Sequence, residues 1–331
     1  MTTNTDTNKV RRPRALITGV AGFAGSHLAD LLVGRGDVEV HGILRPDDGT
    51  HHLSHLGDCI RLHLVDLRNY AGVSEAIDEI EPDMLFHLAA QAAVGPSWER
   101  PADTLIGNIT MQLHLLQAVL AHGLAPRILV VGSADEYGRV TTDDLPIDED
   151  TPLRPLNPYA VSKIAQDMLG YQYHLSHGLH VVRVRPFNHI GPRQGLGFVV
   201  PDFARQIARI EAGLQDPVVR VGDLSARRDF TDVRDMVRAY VLALERGAPG
   251  AVYNIGSSRS HTIRDVLDML LRLSTRQVRV EVDTERLRPS DVREARCDCR
   301  RFHADTGWKP EIGLEQSLRD VLDYWQERVR T

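Results

Sequence analysis

The stretch Arg14-Ala15-Leu16-Ile17-Thr18-Gly19-Val20-Ala21-Gly22-Phe23-Ala24-Gly25 decides how the rest of the chain is read. Arg14–Thr18 reads as a short strand, Gly25–Gly34 as a helix, and the glycines between them fall at G-x-x-G-x-x-G spacing. Small residues at a strand-to-helix junction let the turn tighten. They also let backbone N–H groups approach a pyrophosphate at the helix N-terminus. Glycines are ordinary turn formers too, so the triplet gains weight only from its place at the first such junction. On this reading Gly19, Gly22, Phe23, Ala24 and Gly25 cradle a dinucleotide.

Working outward, short apolar runs alternate with helical periodicity. Strands are expected at Val38–Leu44, Arg61–Val65, Arg127–Val131 and His180–Val184, with another reached through Pro82 to Leu88. Helices are expected at Val73–Ile80, Thr104–His122 and Tyr159–His177. This alternation predicts an α/β fold: a Rossmann-type, doubly wound parallel sheet with helices on both faces. After Pro186 the pattern loosens, and helices follow at Pro201–Ala212, Val233–Arg246, Ile263–Leu273 and Leu314–Arg328. The expected organisation is a flexible tail over 1–12 and a dinucleotide-binding domain over 13–187, with segments near 229–257 returning to it. A smaller mixed α/β lobe over 188–228 and 258–331 would take the substrate.

Composition narrows the function classes. The 331 residues are 42% apolar and 25% charged with a net charge of −6, so no basic excess points to nucleic acid. No run of about 18 apolar residues points to a membrane span. Met1 to Arg14 lacks the apolar centre of a signal peptide. Cys59, Cys297 and Cys299 form no disulfide framework and read as free thiols of a reducing cytoplasm. Five histidines lie between His41 and His63, with His51 and His55 at i, i+4. No carboxylate or cysteine completes a metal set, so they read as a polar connection and no metal is expected.

The ends of the later strands extend the cofactor reading. An acidic residue after the second strand would hold the ribose 2′-hydroxyl of NAD. Arg45 stands there instead and suits the 2′-phosphate of NADP, so NADP(H) is favoured and NAD(H) remains open. Asp66-Leu67 follows the third strand, placed to meet the adenine. Leu88-Ala89-Ala90-Gln91 follows the fourth, where small residues permit close approach.

Asn157-Pro158-Tyr159-Ala160-Val161-Ser162-Lys163 carries the chemistry. Asn157 is a good N-cap and Pro158 suits the first helical turn, which puts Tyr159 and Lys163 at i, i+4 on one face. An ammonium beside a phenol favours the phenolate and is expected to lower the tyrosine pKa. Such a phenol can give a proton to a carbonyl as hydride arrives, or take one in reverse. An amphipathic helix with a buried Tyr and an exposed Lys has the same spacing. The glycine loop upstream tips the reading toward catalysis. Ser133, just past the strand Arg127–Val131, is placed to bond the same substrate oxygen.

Together the glycine loop, Ser133 and the Tyr159–Lys163 pair resemble the extended short-chain dehydrogenase/reductase superfamily. Val131–Gly138 and Asn157–Lys163 look like its nucleotide-sugar 4,6-dehydratases. Arg185 to Gln194, Gly195 to Val237, Leu287 to Val292 and Thr306-Gly307-Trp308-Lys309-Pro310 are most similar to GDP-6-deoxy-4-keto-mannose reductases. The resemblance implies that Tyr159 protonates the sugar O4, Lys163 tunes it and Ser133 orients the carbonyl. It implies that Pro186 lies by the cofactor and that Asn188 meets the sugar or its phosphate. It further implies that the Val200-Pro201 backbone seats the nucleotide, while Arg228 and Arg288 face the diphosphate of a GDP-sugar.

Related dehydratases carry a Glu two residues after the catalytic Ser or Thr, to work at C5 of the sugar. Asp135 stands there, one methylene shorter, and Glu136, next along a strand, would point the other way. This favours reduction of GDP-4-keto-6-deoxy-D-mannose to GDP-D-rhamnose over dehydration of GDP-mannose. An epimerase with tightly held NAD and a non-catalytic nucleotide sensor are the other readings. Apolar residues beyond one stripe on Thr104–His122 and Tyr159–His177, with the resemblance, imply a homodimer through a four-helix interface.

Overall fold

A computed structural model describes residues 11–92, 94–284 and 292–330. In chain order its strands begin with β1 (Arg14–Thr18), β2 (Glu39–Leu44), β3 (Ile60–Leu64), β4 (Met84–His87), β5 (Arg127–Val131) and β6 (Val181–Pro186). They continue with β7 (Asn188–Ile190), β8 (Val218–Val221), β9 (Arg227–Asp232), β10 (Val252–Ile255), β11 (Ser260–Thr262), β12 (Arg279–Val282) and β13 (Glu294–Ala295). The helices are α1 (Phe23–Arg35), α2 (Tyr70–Ile80), α3 (Val94–Glu99), α4 (Pro101–Ala121) and α5 (Pro158–His177). After them come α6 (Val199–Glu211), α7 (Val233–Arg246), α8 (Ile263–Leu273), α9 (Arg300–Thr306) and α10 (Leu314–Arg330).

The main sheet has the order β10-β6-β5-β4-β1-β2-β3 and every pairing in it is parallel. Leu16 and Ile17 on β1 and Ile128 and Leu129 on β5 are all buried, as strands covered on both faces require. On one face α1 and α7 pack with Leu28, Leu32, Met236 and Tyr240; on the other α2, α4 and α5 pack with Ile77, Leu116, Val119 and Tyr173. The order reverses between β1 and β4, and the carboxyl ends of the strands open there, which is where such sheets bind ligands.

Leaving β6, the chain builds a second core from Ile190, Val200, Phe203, Ile207, Val219, Leu267 and Leu318. Between these segments α7 and β10 go back to the main sheet, β10 pairing with β6. The span 258–331 does not belong wholly to the smaller lobe. Phe302 and Trp308 are buried in the first core with Tyr240 and Tyr253. By length and composition α4 could cross a membrane, with a mean hydropathy of 1.2. It packs instead between α2 and α5, with Leu115, Leu116 and Val119 in the core.

Candidate active site

The turn from β1 to α1 gives each glycine a separate task. Gly19 has φ +68° and a Cβ there would come within 2.8 Å of the Ala89 backbone, so only glycine fits. Gly22 is the N-cap of α1 and provides no side-chain cap, which leaves the first N–H groups of the helix for a ligand. At Gly25 a Cβ would collide with the Gly19 carbonyl oxygen, so this glycine serves the packing of helix on turn. Thr18 Oγ1 accepts from Ala89 N at 3.2 Å and bonds His87 Nδ1 at 2.8 Å, tying β1 to the loop after β4.

A cavity of about 950 Å³ opens at this point. Gly19, Gly22, Phe23, Arg45, Asp66, Leu67, Leu88, Ala89, Ala90 and Gln91 all line it. The structure thus brings together ten of the residues expected to hold a dinucleotide, while Ala24, Gly25, Pro186 and the Tyr159–Lys163 pair, also expected at the cofactor, do not line it. The glycine cradle, the open helix N-terminus and the volume fit that group. At the far end Arg45 pairs with Asp48 at 2.8 Å and Arg68 with Asp66 at 2.6 Å. Arg45 is largely exposed and lines the cavity while its Nε and Nη2 donate to Asp48.

The expected catalytic pair stands on α5. Asn157 caps α5 by accepting from Ala160 N at 2.7 Å, and Tyr159 and Lys163 are both buried on its first turns. Lys163 Nζ donates to Val131 O at 2.9 Å and sits 5.9 Å from the Tyr159 ring centroid. Burial lowers Lys163 to about 8, opposed by the Glu136 charge. The expected lowering of Tyr159 is not found. Burial and the charges of Asp135 and Glu136 push the phenol up, and only the Ser133 hydroxyl, hydrogen-bonded to it, pulls it back. Tyr159 is therefore held protonated.

Residues 134–137 form a 3-10 turn, not a strand, and Ser133 is its N-cap. Ser133 Oγ accepts from Asp135 N at 3.1 Å while Ser133 N donates to Glu136 Oε1 at 2.8 Å. Asp135 and Glu136 do point apart, but because successive residues of a helical turn diverge. Asp135 is solvent-accessible and Glu136 is fully buried. Protein crowding around Asp135 raises its carboxyl, and the Arg228 charge opposes this. Arg228 is thus close enough to Asp135 to act on the same space, and it also donates to Val292 O at 3.1 Å. Asn188 is exposed at the start of β7, in register with Phe230 of β9. Val200 is committed to the second core, which leaves its backbone at the start of α6. Arg288 lies outside the described residues.

Comparison with known proteins gives the family. Residues 16–321 match the family model described as GDP-mannose 4,6 dehydratase. The chain belongs to that family. The GDP-6-deoxy-D-mannose reductase of Pseudomonas aeruginosa is 38% identical over 317 residues, 96% of this chain and 98% of that protein. GDP-mannose 4,6 dehydratase 2 of Arabidopsis thaliana is 33% identical, covering 94% of this chain and 86% of its own. The structure of RMD from Pseudomonas aeruginosa complexed with NADPH superposes with a TM-score of 0.84 at 37% identity, over 96% of this chain and 99% of that one.

Within this GDP-mannose 4,6 dehydratase-family chain, several cavity residues escape a reading by motif. His51 and His52 line the cavity with Nε2 atoms 3.0 Å apart, where the sequence suggested only a polar connection. Arg193, which also lines it, reaches across from the second lobe to Asp30 on α1 at 2.8 Å. Asn108 is buried on α4, accepts from Gln91 N at 2.8 Å and donates to Ser162 Oγ at 2.9 Å, linking the β4 loop to α5. A lone Asn in a helix gives no sequence signal for this. Among the described residues no group of three or more metal-binding side chains converges.

Proposed function

We propose that the protein is a nicotinamide-dependent reductase that converts GDP-4-keto-6-deoxy-D-mannose to GDP-D-rhamnose, with NADPH as the favoured reductant. The observation that carries this reading is a phenol, Tyr159, buried on the first turn of α5 and bonded to Ser133, with Asp135 and not a glutamate beside it. Reduction asks for a proton at the moment the ketone oxygen gains charge, and such a phenol holds one ready. The similarity to the Pseudomonas aeruginosa reductase, and to a structure containing NADPH, supports it independently.

Gly19, Gly22, Phe23 and the N-terminus of α1 hold the pyrophosphate. Asp66 and Leu67 meet the adenosine, and Arg45, with Arg68 beside it, meets the 2′-phosphate. When bound, the reduced nicotinamide supplies hydride to C4. Ser133 orients the C4 oxygen, and Tyr159 delivers its proton to that oxygen. Lys163, protonated below about pH 8, stabilises the phenolate left behind. Asn188, the backbone at Val200, Arg228 and Arg288 hold the sugar and its diphosphate. Each arginine supplies a donor fork that suits phosphate oxygens.

Dehydration of GDP-mannose is the second reading, favoured by the family model and the plant relative. Asp135 would then have to work at C5 across one methylene less than a glutamate. Incubating purified enzyme with each substrate separates the two. The ketose with NADPH should give GDP-D-rhamnose and loss of nicotinamide absorbance. Formation of a 4-keto-6-deoxy product from GDP-mannose, without turnover of the ketose, would overturn the reductase reading.

Ile106 on α4 and Val161, Met168 and Leu175 on α5 are apolar and exposed, Ile106 at 65% and Leu175 at 66%. They support a homodimer that buries both helices against their copies. The free thiols suit a reducing compartment such as the cytoplasm.

A further inference from the structure

Glu136 is 0% exposed although nothing in its role as a turn residue requires an ionisable group. Taking a carboxylate out of water costs several kcal/mol unless partners offset it, a cost that a leucine of similar volume would not meet. Its partners form a continuous path. Oε1 accepts from Ser133 N at 2.8 Å, and Oε2 lies 3.1 Å from Arg185 Nε on β6 as an ion pair without a hydrogen bond, because that N–H is given to Asp167. Arg185 is gripped by Asp167 Oδ2, 2.8 Å from Nε and 2.5 Å from Nη2. Asp167 stands on α5 one turn beyond Lys163 and also takes Arg183 Nη1 at 2.6 Å. Gly132 makes room for this, since a Cβ there would collide with Glu136 Oε1.

We propose that Glu136 is a positioning residue for the reaction: through Arg185 and Asp167 it fixes the Ser133 turn to helix α5, so that the Ser133 hydroxyl meets the Tyr159 phenol. This rests on the reading of Tyr159 as proton donor. Glu136 is buried behind the turn and acts through Ser133. It also acts through charge. The groups facing it are Arg185 from β6 and Asp167, Lys163 and Tyr159 from α5. Burial and the Asp167 charge push the Glu136 carboxyl up to about 8 against the pull of Arg185, so its negative charge develops as pH rises through that value, and there it raises both the phenol and the ammonium. Removing that charge lowers both, so the Lys163 ammonium, whose loss near pH 8 sets the alkaline limb, is lost at lower pH, and the phenol proton above it follows.

Two substitutions separate the roles. Glu136→Gln keeps an oxygen for Ser133 N and loses the charge. Glu136→Asp keeps the charge and loses the reach. Both should lower kcat about 10- to 100-fold, the scale set by small misplacement of a reacting group, with NADPH affinity unchanged. Only Glu136→Gln should move the alkaline limb of the kcat/KM profile to lower pH. The phenolate ultraviolet titration, taken as the difference between each protein and its Tyr159→Phe version, should fall in step without any substrate. Gly132→Ala, which pushes the carboxyl aside, should repeat the kcat loss and serves if either Glu136 variant does not fold. Wild-type kcat in any of the three that binds NADPH normally overturns the proposal, as does an unmoved phenolate titration in Glu136→Gln. Full activity in Tyr159→Phe alone would instead overturn the donor reading beneath it.

Discussion

At the proposed cofactor end, Gly19, Gly22, Ala89 and Ala90 offer little more than backbone, all of it on the turns that follow β1 and β4. At the proposed substrate end, Ser133, Tyr159, Asn188 and Arg228 are side chains brought from four separate elements. The first kind of site is fixed as soon as the sheet forms, because the strands carry the turns with them. The second depends on the smaller lobe meeting the main sheet, and on the buried charges that hold the Ser133 turn against α5. Recognition by backbone tolerates side-chain change and fails on added bulk. Recognition by side chains fails on the loss of single atoms.

Substitutions can break this contrast or sharpen it. The largest effect belongs to a single oxygen: Tyr159→Phe should lower kcat about a thousandfold, the usual weight of a general acid, with NADPH binding unchanged in a fluorescence titration. Next comes the one side-chain contact proposed at the cofactor end. Arg45→Ala should weaken NADPH about 10- to 100-fold and leave NADH nearly unaffected, because only the former offers a phosphate for a charge-assisted bond. Equal losses for both dinucleotides would show that Arg45 holds shared structure. Smaller still, Arg228→Met should raise KM for the nucleotide sugar about tenfold with kcat and NADPH affinity little changed. The mildest probe is pH. Lys163 is lowered to about 8, so most of its charge is present at pH 7 and is lost as pH rises through 8. Reduction should therefore slow above pH 8, by about tenfold per unit once the ammonium is gone. A rate still rising at pH 9 would remove Lys163 from the mechanism.

The main sheet was legible in the sequence because buried parallel strands are dense in β-branched residues and α2, α5 and α7 carry side-chain caps at Asn69, Asn157 and Asp232. Arg14–Thr18, Arg127–Val131 and Val233–Arg246 have the bounds that the pattern implies. The strands β7, β11 and β13 of the smaller lobe are two or three residues long, too short for a period of two to show. The cofactor end was legible by its glycines, since a backbone site must be written in small residues. His51, His52, Arg193 and Asn108 were not, because only folding brings them to the cavity. The tyrosine was found by spacing while its pKa shift had the opposite sign. Spacing reports a neighbouring ammonium but not the burial that outweighs it, nor the Glu136 charge behind Ser133.

The return of the chain to the main sheet has a consequence for how the molecule comes apart. After building β7 to β9 it comes back as α7 and β10, and later once more with Phe302 and Trp308. Neither lobe can be peeled away without pulling an edge strand or a buried tryptophan from the other. Heating or denaturant should therefore take both down in one cooperative transition. A protease should find no intact half to release, because the link between the lobes is not a single cuttable strand.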